Sequence, residues 1–470
     1  MKKITRILLC KVALCMIVGC TTDPKVSDTV IDVRIDESKS YQTVEHFGAS
    51  AAWWAQCVGN WSEDKVQRIM NLLYSSSDGI GLDLIRYNVG GGKENAILTD
   101  QLRSVASPES APLIFDWTKD KAAINCVQKA VDLGAKVIVF TNTPPDRLTV
   151  TGAPTGNGPQ CNLVSGGETD FAKFIIGAVN SLEKEYNWPI IALSPINEPQ
   201  WNWAPSNGQE GCHYSPEEAY ALVRAVYDEI KKQGLDYDIS AVDSAEMKLS
   251  SNIKYLDYLM DDKELANELE HYAVHSYWSS ELDRRQFGEY VAKHYPNLSI
   301  WMSEWTEMES GRDYGMDSAL ILASTLLEDF NIAGVTSWQY WIAASPYNYR
   351  DGLIHINPRN ETFRTTKRLF ALGNFSKYIQ SGAVRVDFNL SIPYKLQGGA
   401  FKNPDGSLVV NLVNMNKTTS RTVDFSFIGN EYSQMVVYET SAENDLALCY
   451  EGKPKKYVVG SESIQTIIFR

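Results

Sequence analysis

The sequence predicts an α/β fold, a (β/α)₈ TIM barrel with an appended antiparallel β-sandwich domain. From residue 45 onward, short apolar runs alternate with amphipathic stretches, which is the pattern of βα units around a parallel sheet. After Ser381 the pattern changes to short alternating segments separated by Asn, Asp, Gly and Ser turns, which is typical of antiparallel strands. The length of 470 residues also exceeds what one ordinary core supports.

The barrel prediction depends on counting strands, because eight parallel strands close a barrel of this type. Helical stretches with apolar residues at three- and four-residue spacing lie between the candidate strands, at 64–74, 122–133, 217–232 and 318–329. Residues 361–379 are predicted to form the eighth helix, so the barrel is assigned to residues 45–380. The eight candidate strands end near Ser50, Asn88, Asn142, Asn197, Ser244, Tyr277, Glu304 and Trp341.

The sandwich is assigned to residues 381–470, together with an N-terminal strand within residues 30–44. That strand alternates over residues 30–35, and it joins the sandwich because a closed barrel has no free edge to receive it. We expect the sandwich to brace the barrel, with glycan binding as the alternative role. Its other predicted strands are 390–401, 407–414, 421–427, 435–439, 456–459 and 463–469.

The first residues have the features of an export signal. Lys2, Lys3 and Arg6 precede an apolar run at 12–18, and Gly19-Cys20 follows, so the segment resembles a bacterial lipobox. This predicts a lipoprotein signal peptide over residues 1–19, lipidation of Cys20, and an anchor or linker over residues 20–29. The protein would then be exported and lipid-anchored, at the outer membrane or cell surface of a Gram-negative bacterium. The alternative is an ordinary signal peptide.

The charge balance is acidic, with 44 Lys and Arg against 58 Asp and Glu and a net charge of −14. Residues 1–19 hold four basic and no acidic residue, so their removal would move the net charge to −18. A surface of this sign repels phosphate, which argues against a general nucleic-acid binder and for a neutral partner. No later segment is apolar for the ~18 residues of a membrane-spanning helix, so the only membrane contact expected is the lipid anchor.

Five cysteines remain after Cys20, widely spaced and without a CxxC motif or a metal-ligand cluster. The sequence as a whole implies no metal and no organic cofactor. Cys161 and Cys212 both fall in predicted loops, where they could pair or remain free thiols.

Two glutamates stand where barrel enzymes carry their catalytic groups, at the carboxyl ends of strands. Glu198 ends the fourth predicted strand within Asn197-Glu198-Pro199, and Glu304 ends the seventh. Most of the 58 acidic residues are solvated charges, but these two close predicted strands among tryptophans. Such a setting removes hydration and raises a carboxyl pKa, as a general acid requires. We therefore predict that the pair flanks one scissile bond.

These motifs carry a resemblance to a known family. Asn197-Glu198-Pro199 and the Trp-Met-Ser-Glu run at 301–304 are similar to the acid/base and nucleophile motifs of the clan A glycoside hydrolases. The His-Phe-Gly-Ala-Ser opening at 46–50, Trp53-Trp54 and a sandwich built from both chain ends resemble glycoside hydrolase family 30, over about residues 30–470. Residues 86–92 and 52–55 are most similar to its endo-β-1,6-galactanase branch.

The resemblance implies a retaining mechanism, with Glu304 as nucleophile and Glu198 as acid/base, through a glycosyl-enzyme intermediate. Arg86 matches the arginine that keeps a carboxylate ionised in this clan, with a structural ion pair as the alternative. Tyr277 matches the tyrosine that hydrogen-bonds the nucleophile. Asn197 can hydrogen-bond a sugar 2-hydroxyl, an interaction that strengthens in the transition state.

A further set of residues is predicted to contact the sugar, because flat aromatic faces bury the CH faces of pyranose rings. Trp338 is expected to form the floor under the cleaved sugar. His275 assists catalysis or is structural, and Asn142 forms a wall or a rigid turn. About half of the tryptophans near strand ends are expected to touch sugar, with core packing for the rest. They are Trp53, Trp54, Trp201, Trp203, Trp278, Trp305 and Trp341.

The sequence thus predicts a monomeric, retaining endo-glycosidase that cleaves β-1,6-galactan of arabinogalactan side chains. Within the same family, β-1,6-glucanase and xylanase activities are the alternatives. From another class, the alternative is a surface glycan-binding lipoprotein without turnover, which would have no need of both glutamates.

Overall fold

The computed structural model describes residues 25–92, 98, 100–103 and 105–470. The predicted signal peptide and lipidation site at Cys20 lie outside these residues. None of the helices in the described part of the chain has the length and hydropathy needed to cross a bilayer.

The predicted (β/α)₈ barrel is confirmed. Parallel strands neighbour one another around a ring, and the last pairs with the first. The fifth strand is divided: its first part pairs with the fourth strand, and its second part pairs with the sixth. The ring closes through Ser240 between these parts, whose N–H donates to the carbonyl of Leu193 at 2.8 Å. The barrel strands are His46–Ser50, Leu84–Asn88, Lys136–Phe140, Ile190–Ser194, Asp238–Ile239 with Ala241–Ser244, His271–His275, Ser299–Trp305 and Ser337–Tyr340.

The helices follow the predicted apolar spacing and enclose the barrel. The helix Pro216–Gln233 shows how local sequence sets its ends: Ser215 and Glu218 form a capping box, proline occupies the first turn, and Gly234 ends the helix at φ 66°. The α-helices are Ala55–Val58, Glu63–Tyr74, Lys121–Asp132, Glu168–Tyr186, Pro216–Gln233, Leu249–Asp261, Lys263–Ala266, Glu281–His294, Met316–Glu328 and Lys367–Ser376.

The eighth predicted helix is shorter than expected. Residues 361–379 contain the strand Thr362–Thr365, which pairs antiparallel with Ile354–Asn357, and the helix spans only Lys367–Ser376. Thr362, Phe363 and Thr365 are residue types that favour strands, so they continue the hairpin rather than begin the helix.

The second domain is a β-sandwich that includes the N-terminal strand Lys25–Thr43, which begins before the predicted residue 30. The predicted strand at 390–401 begins later, at Leu396, and Val384–Leu390 and Ala447–Gly452 are two additional strands. One pairing departs from the antiparallel prediction, because residues 25–32 lie parallel to Thr419–Asp424. The remaining sandwich strands are Leu396–Lys402, Leu408–Asn414, Met435–Thr440, Lys456–Val459 and Ser463–Phe469.

The sandwich and the barrel share buried core. Phe401, Val409 and Ile468 of the sandwich belong to the same apolar cluster as the barrel helices. Asn374, in the helix Lys367–Ser376, donates to Thr466 Oγ1 at 2.9 Å. These contacts fix the sandwich against the barrel. A glycan-binding role for it stays untested.

Candidate active site

The carboxyl ends of the barrel strands open onto a cavity of about 800 Å³. Both predicted catalytic glutamates line it, and each is less than a tenth exposed. Eight of the other residues that the sequence placed near the sugar also line the cavity: Trp53, Asn142, Asn197, Trp201, Trp203, Tyr277, Trp278 and Trp341.

The site is built on the alternation of side chains along barrel strands, which sends every second residue into the barrel. The layer beneath the site is apolar and consists of Leu84, Ile138, Ala192 and Trp301. Two residues further along three of these strands stand the buried polar side chains Arg86, Ser194 and Ser303. A buried polar layer therefore lies beneath the cavity, and the apolar layer lies beneath that.

Arg86 connects the members of this polar layer. Its guanidinium donates to Glu304 Oε2 at 2.8 Å, to Asn197 Oδ1 at 3.1 Å and to Asp243 Oδ2 at 2.9 Å. The guanidinium also lies 3.8 Å from the ring centroid of Phe140, which fixes its plane. Its contact with Asn197 Oδ1 leaves the amide NH₂ of Asn197 as the group that can donate to a sugar hydroxyl.

The two glutamates have different surroundings, as the predicted roles of acid/base and nucleophile require. Glu304 accepts hydrogen bonds from Arg86 and, at 3.0 Å, from the hydroxyl of Tyr277. Burial raises the pKa of Glu304, while His275 and Arg86 oppose that rise. Glu198 contacts His275 Nδ1 at 3.1 Å and has no direct contact with the guanidinium. Burial raises the pKa of Glu198 to about 8, so this carboxyl carries its proton at neutral pH.

The distance between the two carboxyl groups distinguishes a retaining from an inverting geometry. One oxygen of Glu198 and one of Glu304 lie within 4.8 Å of each other, and His275 Nδ1 is 3.8 Å from Glu304 Oε1. Inverting pairs need roughly 6.5–9.5 Å to admit a water, whereas retaining pairs stand roughly 5–5.5 Å apart. The close approach of these oxygens fits the retaining geometry and is shorter than the inverting range.

Among the described residues, Glu198, His275 and Glu304 are the group whose ligand atoms lie close enough together to bind a metal ion. Burial lowers the pKa of His275, so a neutral imidazole is available there. A cation at this point would stand between the two carboxyl groups. The sequence-based expectation of no metal and no cofactor stays a prediction.

Asp243 belongs to this site and was missed by the sequence analysis. It is fully buried, accepts a hydrogen bond from Ser303 at 2.6 Å and another from Ser194, and pairs with Arg86. Burial opposes its ionisation, but Arg86 and His275 hold its pKa below the ordinary value. The available signal was its position near the end of the fifth strand, like that of Glu198 and Glu304 on theirs.

Replacing Asp243 with asparagine is expected to lower the free energy of unfolding by roughly 1–3 kcal/mol, because the buried guanidinium loses one of its two counter-charges and keeps Glu304. We also expect kcat/KM to fall about 10–100-fold, since Arg86 would lose one of the groups that orient it. Urea denaturation and steady-state kinetics measure both effects. Asp317→Asn, which removes an exposed charge paired with Lys417, is the control and should change neither. Wild-type values for Asp243→Asn would contradict the positioning role.

Three of the predicted aromatic contacts do not reach the cavity. Trp338 is fully buried and donates through Nε1 to Asp329 at 2.9 Å, so it faces the surrounding helices and cannot form the floor. Trp54 is also fully buried, and its Nε1 donates to the carbonyl of Ser50. Trp305 packs against Trp338 with ring centroids 6.1 Å apart. Side chains alternate along a strand, so Trp338 points out of the barrel because its neighbour Gln339 points inward.

The tryptophans that do line the cavity lie mostly on loops. Trp203 is held by its Nε1, which donates to the carbonyl of Glu198 at 3.0 Å. The others are Trp53, Trp201, Trp278 and Trp341. Arg86 and His275 do not line the cavity but contact the two glutamates directly.

Cys161 and Cys212 lie in neighbouring loops, as the sequence suggested, and both are free thiols in the structure.

Two family models together match most of this chain. The sequence model of the O-glycosyl hydrolase family 30 matches residues 30–355, and the model of the glycosyl hydrolase family 30 β-sandwich domain matches residues 382–467. An endo-β-1,6-galactanase from Hypocrea rufa is 22% identical over 432 residues, which cover 85% of this chain and 83% of that protein.

Two solved structures have the same fold. A conserved exported protein from Bacteroides fragilis aligns with a TM-score of 0.83 at 22% identity, over 94% of this chain and 100% of that one. The catalytic domain of xylanase C from Talaromyces cellulolyticus aligns with a TM-score of 0.75 at 19% identity, over 93% of this chain and 100% of that one.

Proposed function

Because this chain belongs to glycoside hydrolase family 30, we propose that it is a retaining endo-glycosidase that cleaves β-1,6-galactan of arabinogalactan side chains. The observation that carries the proposal is the pair formed by Glu198 and Glu304. Their oxygens lie within 4.8 Å, and their contacts favour a proton on Glu198 and a charge on Glu304.

In the first step a Glu304 oxygen attacks the anomeric carbon while Glu198 gives its proton to the glycosidic oxygen. The bond between carbon and oxygen breaks, the shortened glycan leaves as an alcohol, and a glycosyl ester of Glu304 forms. In the second step Glu198, now a carboxylate, takes a proton from water, and the water oxygen attacks the same carbon. The ester breaks, Glu304 returns as a carboxylate and Glu198 regains its proton.

Two observations support galactan as the substrate. The endo-β-1,6-galactanase of Hypocrea rufa is similar over most of both chains. The chain is also strongly acidic, which suits a neutral polysaccharide better than a uronate-rich one. Linkage and sugar identity depend on loop residues around the cavity, so β-1,6-glucan and xylan are the other candidate substrates.

The experiment that tests this proposal is a screen of the purified protein against β-1,6-galactan, β-1,6-glucan and glucuronoxylan, with product sizes recorded. We expect rapid cleavage of galactan to oligosaccharides of mixed length. Release of single sugars only would contradict endo action, and faster cleavage of either other glycan would reassign the substrate. Binding to galactan without any hydrolysis would favour the non-catalytic glycan-binding lipoprotein.

The pH dependence of the reaction follows from the raised pKa of Glu198. Its carboxyl must be protonated to act as an acid, so kcat/KM on polysaccharide should fall as the pH rises through about 8. A β-glycosyl fluoride needs no protonation of its leaving group, so its kcat/KM should not show this fall. Equal loss on both substrates above pH 8 would contradict the assignment of Glu198 as the acid.

For the location of the protein we propose export and attachment through a lipid on Cys20, acting as a monomer. Cys20→Ser should release the full-length protein from the membrane fraction of the cells that produce it. Retention of that variant in the membrane would argue against lipidation, and a dimer mass in light scattering would argue against the monomer.

A further inference from the structure

The cavity has two groups of aromatic side chains, on opposite sides of the barrel mouth. Trp53, Trp341 and Tyr347 follow the first and eighth strands, and Trp53 contacts the other two rings edge to face at centroid distances of 5.0 and 6.0 Å. Trp201 and Trp278 follow the fourth and sixth strands, and their ring centroids are 5.5 Å apart at 76°. In a ring of eight strands, the fourth to sixth lie across from the eighth and first.

The pair formed by Trp201 and Trp278 is unusually exposed to solvent. Trp201 is 42% exposed and Trp278 is 53% exposed, whereas Trp53 and Trp341 are both less than a tenth exposed. Leaving large apolar rings in water forgoes the free energy of burying them. Trp278 also adopts φ 48°, a left-handed backbone that bulky residues seldom take, as does Trp53 at φ 69°.

Both tryptophans are attached to the acid/base residue. The Trp201 N–H donates to the carbonyl of Glu198 at 3.2 Å. Trp278 lies three residues beyond the strand that ends at His275, whose Nδ1 contacts Glu198 Oε1 at 3.1 Å. The acid/base residue gives its proton to the oxygen that leaves, so the sugar carrying that oxygen must lie against Glu198.

We propose that Trp201 and Trp278 form the platform that binds the leaving-group side of a β-linked polysaccharide, on which at least one sugar ring stacks beyond the cleaved bond. The inference rests on the proposed function, because it uses Glu198 as the acid. Their T-shaped arrangement offers two flat faces at a steep angle, which suits a chain that bends between successive sugars. Trp53, Trp341 and Tyr347 then face the part of the polysaccharide that becomes bound to Glu304.

The platform is tested by comparing two substrates that share the glycosyl group but differ in what leaves. The polysaccharide leaves as a long chain that reaches the platform, whereas the fluoride of a β-glycosyl fluoride is too small to reach it. For Trp201→Ala and Trp278→Ala we expect kcat/KM on polysaccharide to fall roughly tenfold each. The value on the fluoride should stay within twofold of wild type, and Trp201→Phe should recover most of the loss.

A matched control is Tyr394→Ala, which removes a ring that is 63% exposed on the sandwich, away from the cavity. It should leave both substrates unaffected. Wild-type kinetics of the double variant Trp201→Ala/Trp278→Ala on polysaccharide would overturn the platform, as would equal losses on polysaccharide and fluoride. Circular dichroism melting of each variant distinguishes a lost contact from a lost fold.

The variants are assayed on whichever of the three glycans the wild type cleaves best. A preference for glucan or xylan therefore overturns the proposed galactan specificity while the platform remains under test. If the wild type cleaves none of the three glycans, both proposals fail.

Discussion

Replacing Glu304 with alanine is expected to lower kcat on polysaccharide by about 10⁴–10⁶-fold, the size of effect seen when a covalent nucleophile is removed. The cause is the loss of the only oxygen that can form the glycosyl ester, not the loss of the fold. Arg86 keeps its pair with Asp243 at 2.9 Å, so the buried guanidinium retains a counter-charge. Glycan binding should persist, because the rest of the cavity lining is unchanged, and calorimetric titration of the inactive variant measures it.

The stereochemistry of a rescue reaction identifies the role of Glu304 directly. With a β-glycosyl fluoride and azide, Glu304→Ala should yield the α-glycosyl azide, because azide enters from the vacated face with a single inversion. Glu309→Gln, on the loop after the same strand and exposed, is the control and should keep full activity. Substantial polysaccharide turnover by Glu304→Ala, or a β-azide product, would refute the nucleophile assignment.

Replacing Glu198 with alanine is expected to lower kcat/KM on polysaccharide by about 10²–10⁴-fold, the contribution of a positioned general acid. The loss on a β-glycosyl fluoride should be much smaller, because fluoride leaves without a proton. The glycosyl ester should then accumulate, since no base activates water in the second step. Azide should speed its breakdown and give the β-glycosyl azide through two successive inversions.

The matched control for Glu198 is Glu210, twelve residues further along the same loop. It is also buried, and burial raises its pKa to about 8 as well. Glu210→Gln should keep both the polysaccharide activity and its fall above pH 8, because a raised pKa without a place at the scissile bond contributes no acid. A loss of that fall in Glu210→Gln, or an α-azide product from Glu198→Ala, would contradict the assignment.

The barrel strands and both glutamates could be predicted because their signals are local. A short apolar run that is bounded by turn residues favours a strand, and the change to polar residues marks its end. Glu304 lies in the last part of such a strand, and Glu198 lies four residues beyond the end of its own. All parallel strands of a barrel end at the same rim. Two glutamates near strand ends are therefore expected to lie close in space, even when the loops are unknown.

Loop and sandwich details could not be predicted in the same way. The segment 361–379 satisfies helical spacing, yet its first residues complete a hairpin with Ile354–Asn357, a choice made by hydrogen bonds to another segment. The parallel pairing of residues 25–32 with Thr419–Asp424 joins chain ends almost 400 residues apart. Local periodicity contains no information on such partners.

The sequence by itself indicated the barrel, the attached sandwich, the family resemblance and the two glutamates that line the cavity. Only the tertiary structure decided which aromatic rings meet the substrate and which groups orient Arg86. Trp338 and Trp341 are three residues apart, yet one packs against the helices and the other lines the cavity. The reason is that composition and spacing record how much apolar surface a segment must bury. The direction of each side chain at the barrel mouth depends instead on long-range register and loop packing.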